Sequence, residues 1–218
     1  MKRGKGKSAS SRRWVARRER DPYVDKARRS NLRSRAVFKL EQIDARDKLF
    51  RAGQRVVDLG AAPGGFSQYL ARKVGPRGLV VAVDRLDMTP IDGVVFVHGD
   101  FLDPDVAARL DEILAGPSTR WFPTWRRTCP ESGTGTRRAA ANWSTRRLHS
   151  PGDGFAAGGV MVVKIFEGGE RAAIVAAFRE CFAGVTLRKP DASRARSPEC
   201  YIVAKGYNRP DEDPSSVT

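Results

Sequence analysis

Short apolar runs alternate with segments of helical period along most of this chain. The apolar runs are rich in valine and isoleucine, as the buried strands of a parallel sheet are. The predicted strands are Val56–Leu59, Leu79–Val83, Val94–Val97, Val160–Phe166, Gly184–Arg188 and Glu199–Ala204. The predicted helices are Phe66–Val74, Val106–Leu114 and Ala172–Phe182, after a helical region that begins at Asp21. Strands that alternate with helices predict a single α/β domain with a mostly parallel central sheet flanked by helices.

The first predicted strand leads into a glycine-rich turn that reads Asp58-Leu59-Gly60-Ala61-Ala62-Pro63-Gly64-Gly65-Phe66. Its glycines let the backbone turn sharply and approach a ligand closely. The spacing matches neither the G-x-x-x-x-G-K-[ST] phosphate loop nor the G-x-G-x-x-G dinucleotide motif. An acid followed by Gly60 and Gly64 instead resembles the first motif of S-adenosylmethionine-dependent methyltransferases, with an ordinary strand-to-helix turn as the alternative. Asp58 is placed to hold the loop or to meet a cationic group.

Acidic residues stand at the ends of three successive predicted strands: Asp58, Asp84 and Asp100. The carboxyl ends of parallel strands form one edge of the sheet, and ligands bind there. An acid at the end of the second strand can accept hydrogen bonds from ribose hydroxyls. The pattern therefore predicts a ribose-bearing ligand at this edge.

Two lysines occur in apolar surroundings. Lys164 lies inside the run Val160–Phe166, where a charge is costly unless it is paired or functional. Burial would lower the pKa of such a lysine and make it a better base. Lys39 lies between Phe38 and Leu40 on a predicted helix, where an exposed lysine without a role is the commoner case.

Positive charge is concentrated at the start of the chain. The 218 residues carry a net charge of +15, and residues 1–55 hold 19 Lys and Arg against 6 Asp and Glu. Such a basic N-terminal region predicts a polyanionic partner, because its charges can neutralise phosphates. The alternative is that the region only increases solubility. We expect a basic flexible tail over residues 1–20, a folded domain over 21–206 and a disordered tail over 207–218.

Several functional classes are disfavoured by composition. The sequence has no apolar run of eighteen residues, so no membrane span is expected, and the basic N-terminus lacks the apolar stretch of a secretory signal. Its three cysteines, Cys129, Cys181 and Cys200, have no C-x-x-C spacing. They indicate neither a metal site nor a disulfide framework, and a cytoplasmic location fits best.

Four motifs, in order, resemble the FtsJ/RrmJ (RlmE) ribosomal RNA large-subunit 2′-O-ribose methyltransferases. They are Ser34-Arg35-Ala36-x-Phe38-Lys39-Leu40, the turn Asp58–Gln68, Val162-Val163-Lys164-Ile165-Phe166 and Lys189-Pro190-x-x-Ser193-Arg194-x-x-Ser197-x-Glu199-x-Tyr201. The resemblance covers about residues 8–116 and 158–206. It implies a Rossmann-like methyltransferase fold and transfer of a methyl group from S-adenosylmethionine to the 2′-hydroxyl of a uridine in the A-loop of 23S rRNA.

The resemblance also implies roles for individual residues. The family uses a Lys-Asp-Lys-Glu tetrad, of which Lys39, Lys164 and Glu199 match the lysines and the glutamate. Lys164 would accept the proton, and Glu199 would orient the lysines. The N-terminal arginines would contact the RNA backbone of the 50S subunit, and we expect a monomer. Expected cofactor-binding residues are Asp58, Gly60, Gly64, Phe66, Asp84 and Asp100.

The aspartate of the tetrad is missing. The family has a strand here that ends in a Ser-Asp-Met-Ala-Pro-Asn type of motif. This chain instead has a segment rich in Trp, Arg, Pro and Thr from Arg120 to Gly133. This segment should supply a fourth strand beside the first, but Pro123 would remove a ladder hydrogen bond there. If this chain is the one that is made, we therefore expect residues 118–157 to be irregular, with poor solubility, weakened cofactor binding and little activity.

A pair of compensating frameshifts over residues 118–157, in the gene or in its sequencing, would account for this departure. If the shift is a sequencing error, the protein has the aspartate and is an ordinary member of the family. When Trp121–Gly133 are back-translated and read in a shifted frame, permissible codons spell Val-Ser-Asp-Met-Ala-Pro-Asn-Leu-Ser-Gly. The missing aspartate then comes from the codons of Pro123 and Thr124. A genuine insertion or divergence is the alternative, and codons 117–158 of the gene decide between them.

Two other functions compete with methyl transfer. An RNA-binding or ribosome-assembly protein could keep the fold without the chemistry, because the aspartate is absent. A nicotinamide-dependent oxidoreductase is disfavoured by the lack of G-x-G-x-x-G and by the basic front end.

Overall fold

The computed structural model describes residues 21–114, 119–123, 158–169, 171–194 and 196–208. The helices in these ranges are α1 (Pro22–Arg29), α2 (Val37–Asp47), α3 (Gly65–Val74), α4 (Pro104–Ile113) and α5 (Arg171–Cys181). The strands are β1 (Arg55–Leu59), β2 (Leu79–Asp84), β3 (Val94–His98), β4 (Thr119–Pro123), β5 (Val160–Phe166), β6 (Phe182–Arg188) and β7 (Glu199–Tyr207). The basic tail predicted for residues 1–20 and the tail beyond Asn208 lie outside the described residues.

The strands form a parallel part and an antiparallel part. The parallel part has the order β3-β2-β1-β4, and the antiparallel part has the order β5-β7-β6. β4 also contacts β5, which brings the two parts side by side. Leu59 pairs with Val83 of β2 and with Pro123 of β4, so the carboxyl ends of the three central strands lie at one edge. The predicted α/β fold with a mostly parallel central sheet is confirmed.

Alternate residues of the central strands are buried on opposite faces of the sheet. Val56 and Val80 belong to one core cluster, together with residues of α2 and α3. Val57 and Val81 belong to the other, together with residues of α4 and α5. Since both faces are covered by helices, the strands carry apolar residues without a polar alternation, as parallel strands do.

Element boundaries differ from the sequence prediction where a cap or a distant partner decides them. α4 begins at Pro104 rather than Val106, because the Asp103 side chain accepts a hydrogen bond from the Asp105 amide and proline suits the first helical turn. β7 continues past Ala204 to Tyr207, which pairs with Phe182 at the start of β6. Among the helices that the structure describes, none has the length and apolar character needed to cross a membrane.

The segment expected to be irregular contains a strand. Residues 119–123 form β4 and pair in parallel with all of β1, so the expectation of irregular structure is wrong for these five positions. Pro123 is the last residue of β4, where a missing backbone donor interrupts the ladder least. Residues 118 and 124–157 of this segment lie outside the described residues.

The turn after β1 predicts a specific effect of adding one methyl group. Gly64 has a φ of 94°, and a Cβ there would lie 2.6 Å from Ile91 Cδ1 and 2.6 Å from Met88 Sδ. Gly53 has a φ of 80° with no atom within 4 Å of its Cβ position. Gly53→Ala should lower the free energy of unfolding by about 1 to 2 kcal/mol, the cost of left-handed backbone. Gly64→Ala should cost about 1 kcal/mol more, at the low end of the overpacking cost, because the ends of the flexible Ile91 and Met88 side chains must shift.

Urea unfolding followed by circular dichroism measures both losses, and Gly53→Ala serves as the matched control for backbone strain. Equal losses in the two variants would show that the turn is not closely packed at Gly64.

Candidate active site

The glycine-rich turn connects β1 to α3 at the carboxyl edge of the sheet. Gly60 has a φ of 75° and Gly64 a φ of 94°, both in the region that favours glycine. The amides of Gly60 and Ala61 donate to the Val83 carbonyl at 2.8 and 3.1 Å, and the Gly64 amide donates to the Ala61 carbonyl at 2.6 Å. These bonds tie the turn to the end of β2 and leave its outer side facing a cleft.

Asp58 holds this turn from beneath. Its side chain is fully buried, and one carboxylate oxygen accepts a hydrogen bond from Ser67 Oγ at 2.6 Å. Ser67 is likewise fully buried, in the first turn of α3. Of the two roles that the sequence left open for Asp58, the geometry supports holding the loop.

Asp84 and Asp100 lie at the ends of β2 and β3, as predicted. Asp84 accepts hydrogen bonds from the Ala62 amide at 2.8 Å and from the Leu86 amide at 2.9 Å. Asp100 accepts from the Leu102 amide at 3.0 Å, and Arg85 lies 3.8 Å from its carboxylate. Asp84 therefore links the glycine-rich turn to the β2 end, while Arg85 links the β2 end to the β3 end.

Two exposed leucines accompany these acids and were missed by sequence reasoning. Leu86 is 58% exposed and Leu102 is 52% exposed, each two residues after a strand-end acid. An exposed apolar side chain beside a polar ligand edge is a common feature of binding sites. The signal in the sequence was the repeated acid-x-Leu spacing after successive strands.

Lys39 and Glu199 form an ion pair between α2 and the start of β7. Lys39 Nζ is hydrogen-bonded to Glu199 Oε1, and their side chains are 13% and 12% exposed. Ser193 Oγ donates to the same carboxylate oxygen at 3.0 Å. Lys39 is therefore not the exposed helical lysine that the sequence allowed, but a largely buried group with a fixed partner.

Lys164 lies on the same face of the antiparallel part as Glu199. Lys164 pairs with Tyr201 and Phe166 with Glu199 across β5 and β7, and directly opposed residues project from the same face. Lys164 is half-buried, and its Nζ lies 5.5 Å from the centroid of the Phe166 ring. Both lysines therefore flank one carboxylate.

A cleft of about 230 Å³ joins this group to the glycine-rich turn. It brings together five of the predicted site residues: Lys39, Gly60, Phe66, Lys164 and Glu199. The other four are not among its lining residues. Asp58 lies buried below the turn, Gly64 packs against Met88 and Ile91, and Asp84 and Asp100 stand at the adjoining strand ends. Within the described ranges, no His, Cys, Asp and Glu side chains are grouped to hold a metal ion.

Glu199 is held in its ionised form. Burial by itself raises the pKa of Glu199, but hydrogen bonding and charge from Lys39, the Ser193 hydroxyl and the charge of Lys164 together bring that pKa below its ordinary value. At neutral pH the cleft therefore contains a carboxylate between two lysines.

Two arginines of the basic N-terminal region, Arg33 and Arg35, make contacts within the protein. The Arg33 guanidinium donates to the carbonyls of Thr89 at 2.6 Å and Pro90 at 2.5 Å. Arg35 pairs with Asp21 at 2.5 Å and also donates to the Ala192 carbonyl. These contacts give Arg33 and Arg35 a structural role, and the expectation that N-terminal arginines contact RNA stays a prediction. Arg28 and Arg29 are exposed on α1.

The sequence matches one family of known proteins over most of its length. The model of the FtsJ-like methyltransferases matches residues 32–121 and 138–207, which is most of the chain. The chain belongs to the FtsJ-like methyltransferase family. The resemblance inferred from the four motifs is thereby confirmed.

Solved structures support the fold of this FtsJ-like methyltransferase. A protein from Plasmodium falciparum provisionally named a ribosomal RNA methyltransferase is 21% identical, with a TM-score of 0.66 over 80% of this chain and 98% of that chain. A provisionally named rRNA-methylase from Clostridium thermocellum is 18% identical, with a TM-score of 0.50 over 77% and 97%. Aeropyrum pernix fibrillarin, solved with natively bound S-adenosyl-L-methionine, is 14% identical, with a TM-score of 0.51 over 79% and 74%.

The FtsJ-like match is interrupted where the sequence departs from the family motif. It stops after residue 121 and resumes at residue 138. The interval contains the position at which the tetrad aspartate was expected. Lys39, Lys164 and Glu199, the residues expected to belong to the tetrad, all line the cleft, and the expected position of the aspartate falls outside the matched residues.

The depressed pKa of Glu199 predicts a pH-dependent contribution to stability. A carboxyl whose folded pKa is lowered stabilises the fold above its unfolded value, near 4.5, and loses this contribution as pH falls through the folded pKa. Glu199→Gln should therefore lower the free energy of unfolding at pH 7 by about 2 kcal/mol, the worth of a hydrogen bond to a charged group. The deficit should shrink as pH falls below about 4.5.

Urea unfolding at a series of pH values gives this difference directly. Glu112→Gln, at an exposed position of α4, is the matched control and should track the wild type. A deficit for Glu199→Gln that stays constant from pH 7 to pH 3 would contradict the ionised pair.

Proposed function

We propose that this chain transfers a methyl group from S-adenosylmethionine to a ribose 2′-hydroxyl of large-subunit rRNA, with Lys164 as proton acceptor. The proposed target is a uridine of the A-loop in 23S rRNA, reached by a cytoplasmic monomer that binds the 50S subunit through its basic N-terminal region. One observation carries the proposal: the cleft that joins Lys39, Lys164 and Glu199 to the glycine-rich turn of a methyltransferase fold.

The residues at the sheet edge fit the proposed cofactor. The turn at Gly60–Gly65 has positive-φ glycines at Gly60 and Gly64, so its backbone can approach a ligand closely. Asp84 keeps acceptor capacity for ribose hydroxyls, because a carboxylate offers about four lone-pair sites and only two amides are bound to it here. Leu86 presents an apolar surface beside it. When bound, S-adenosylmethionine supplies an electrophilic methyl group on its sulfonium.

The lysines and the glutamate fit the proton transfer that this chemistry requires. Lys164, whose charge lowers the pKa of Glu199 in the resting cleft, would first release its own proton to solvent. Its neutral amine then takes the proton of the 2′-hydroxyl, which makes the 2′-oxygen nucleophilic. The new ammonium charge is then compensated by the Glu199 carboxylate on the same face. Lys39, already paired with Glu199, holds that carboxylate in place. Placement of these groups within one cleft supports orientation of the reacting hydroxyl.

The RNA substrate is supported by the charge of the chain and by the names of its structural neighbours. Two of the neighbours are provisionally named as enzymes that act on ribosomal RNA. The first 55 residues carry a large excess of positive charge, which suits a phosphate backbone. The uridine and the A-loop rest on the motif resemblance alone.

A second candidate is an RNA-binding or ribosome-assembly protein with impaired catalysis. The interruption of the family match at residues 122–137 favours it, because the tetrad aspartate was expected there. Loss of one member of a catalytic unit commonly costs orders of magnitude in rate. The two candidates share RNA binding and differ in methyl transfer.

Substitution of Lys164 tests the proposed chemistry. Lys164→Met should lower the rate of radiolabelled methyl transfer to large-subunit rRNA by at least about a hundredfold, since general-base catalysis typically contributes this much. Binding of S-adenosylmethionine and of rRNA should be retained. Lys48→Met, at the exposed C-terminal cap of α2 and outside the cleft lining, is the matched control and should keep the wild-type rate.

The same assay separates the two candidates. It is run on the natural chain and on a chain whose segment 122–131 is replaced by Val-Ser-Asp-Met-Ala-Pro-Asn-Leu-Ser-Gly. Transfer by the natural chain supports the enzyme. Transfer by the restored chain alone, with rRNA bound by both, supports the impaired protein. Equal transfer by Lys164→Met and the active parent would end the assignment of Lys164.

Substitution of Asp84 tests the cofactor. Asp84→Asn removes a charged acceptor at the end of β2, so the Kd for S-adenosylmethionine should rise about ten- to a hundredfold. Asp87→Asn, in the same loop with a side chain that is 99% exposed, should leave the Kd unchanged. Calorimetric titration of both variants, with NAD as the competing ligand, measures the effect. Tight binding of NAD instead would exclude the methyltransferase proposal.

A further inference from the structure

Phe166 is an exposed aromatic residue at the end of an otherwise buried strand. Its side chain is 40% exposed, whereas Val160–Val163 and Ile165 of β5 are buried. The other large apolar side chains with comparable exposure, in the ranges that the structure describes, are aliphatic: Leu86, Val95, Leu102 and Leu187. Phe166 thus presents a flat ring to the outside at a position where the core does not need it.

The strand pairing places this ring beside the catalytic groups. Phe166 follows Lys164 by two residues, so both project from the same face of β5. Directly opposite Phe166 on β7 is Glu199. Lys164 Nζ lies 5.5 Å from the ring centroid, which is within the range of a cation–π contact. The ring therefore borders the point where a ribose hydroxyl would meet the lysine.

The backbone next to Phe166, at the end of β5, is held by contacts with the loop that precedes β7. The Glu167 amide donates to the Pro198 carbonyl at 2.6 Å, directly before Glu199. Lys189 and Glu167 also form an ion pair at 3.6 Å. These contacts attach the end of β5 to the loop that precedes β7. An aromatic side chain on such a rigid support keeps its orientation when a ligand arrives.

We propose that Phe166 is the stacking platform for a nucleobase next to the ribose that is methylated. The inference rests on the proposed function and deepens it by naming how the RNA is held. Proteins that bind single-stranded RNA splay out its bases and stack them on aromatic side chains. A ribose whose hydroxyl reaches Lys164 carries an attached or neighbouring base within one nucleotide of that lysine, and Phe166 is the exposed ring there. Stacking is tolerant of base identity, so Phe166 supplies affinity and position while other contacts select the sequence.

Phe166→Leu removes the flat ring and keeps an apolar side chain of similar size. The Kd for an A-loop RNA oligonucleotide should rise about ten- to a hundredfold, the loss expected for one base–aromatic stack. Phe166→Trp should bind as tightly as the wild type, because its indole also stacks. Leu187→Ala, a matched control at an apolar position of the same 40% exposure on β6, should leave the Kd unchanged.

Fluorescence reports the contact itself. With 2-aminopurine placed beside the target nucleotide, binding to the wild type and to Phe166→Trp should change the emission as the base stacks on the ring. Binding to Phe166→Leu at saturating protein should not reproduce that change. S-adenosylmethionine affinity and the circular dichroism spectrum, which should be the same in all variants, show that the fold is intact.

The outcomes separate this inference from the proposed function. Unchanged RNA affinity and unchanged fluorescence in Phe166→Leu, with methyl transfer by the wild type, would overturn the stacking role and leave the enzyme standing. Weakened RNA binding in Phe166→Leu, without methyl transfer by the wild type, would support the stacking role and overturn the enzyme. A loss in Phe166→Trp equal to that in Phe166→Leu would also overturn the stacking role.

Discussion

The candidate site depends on the ion pair between Lys39 and Glu199. These residues are 160 positions apart in the chain, and their pairing joins α2, which precedes the sheet, to β7 in the antiparallel part. A charge in a largely buried position is costly unless a partner is present. The pair therefore forms only when the whole domain has closed, and the cleft is a product of the complete fold.

The interactions around this pair hold the surrounding loops in the same arrangement. Ser193 binds Glu199 from the loop before β7, and the next contact outward is Ala192, whose carbonyl accepts from Arg35. Arg35 in turn pairs with Asp21, the cap of α1. These hydrogen bonds, together with the peptide bond between Ala192 and Ser193, thus connect Asp21 at the start of the described chain to Glu199. Since α1 follows the basic tail in sequence, a contact between that tail and RNA would act on an element already attached to the cleft.

The fold and most of the cleft could be predicted from sequence because their signals are local. The apolar strands, the glycine-rich turn and the motif residues Lys39, Lys164 and Glu199 are each visible within a few positions. The roles of Asp58 and Arg33 were not predictable, because each depends on a partner brought close by folding: Ser67 for Asp58, and the carbonyls near Pro90 for Arg33. The sequence alone does not distinguish an arginine that binds RNA from one that binds carbonyl groups of its own chain.

Strand β4 shows that a segment can keep its place in the sheet while its side chains differ from the expected motif. Strand pairing uses backbone groups, so residues 119–123 can pair with β1 although they contain none of the expected Ser-Asp-Met-Ala-Pro-Asn motif. Pro123 is tolerated because it comes at the strand end. A carboxylate has no backbone substitute. A change of the side chains after Phe122 can therefore leave the pairing of β4 with β1 in place and still remove the carboxylate of the expected motif.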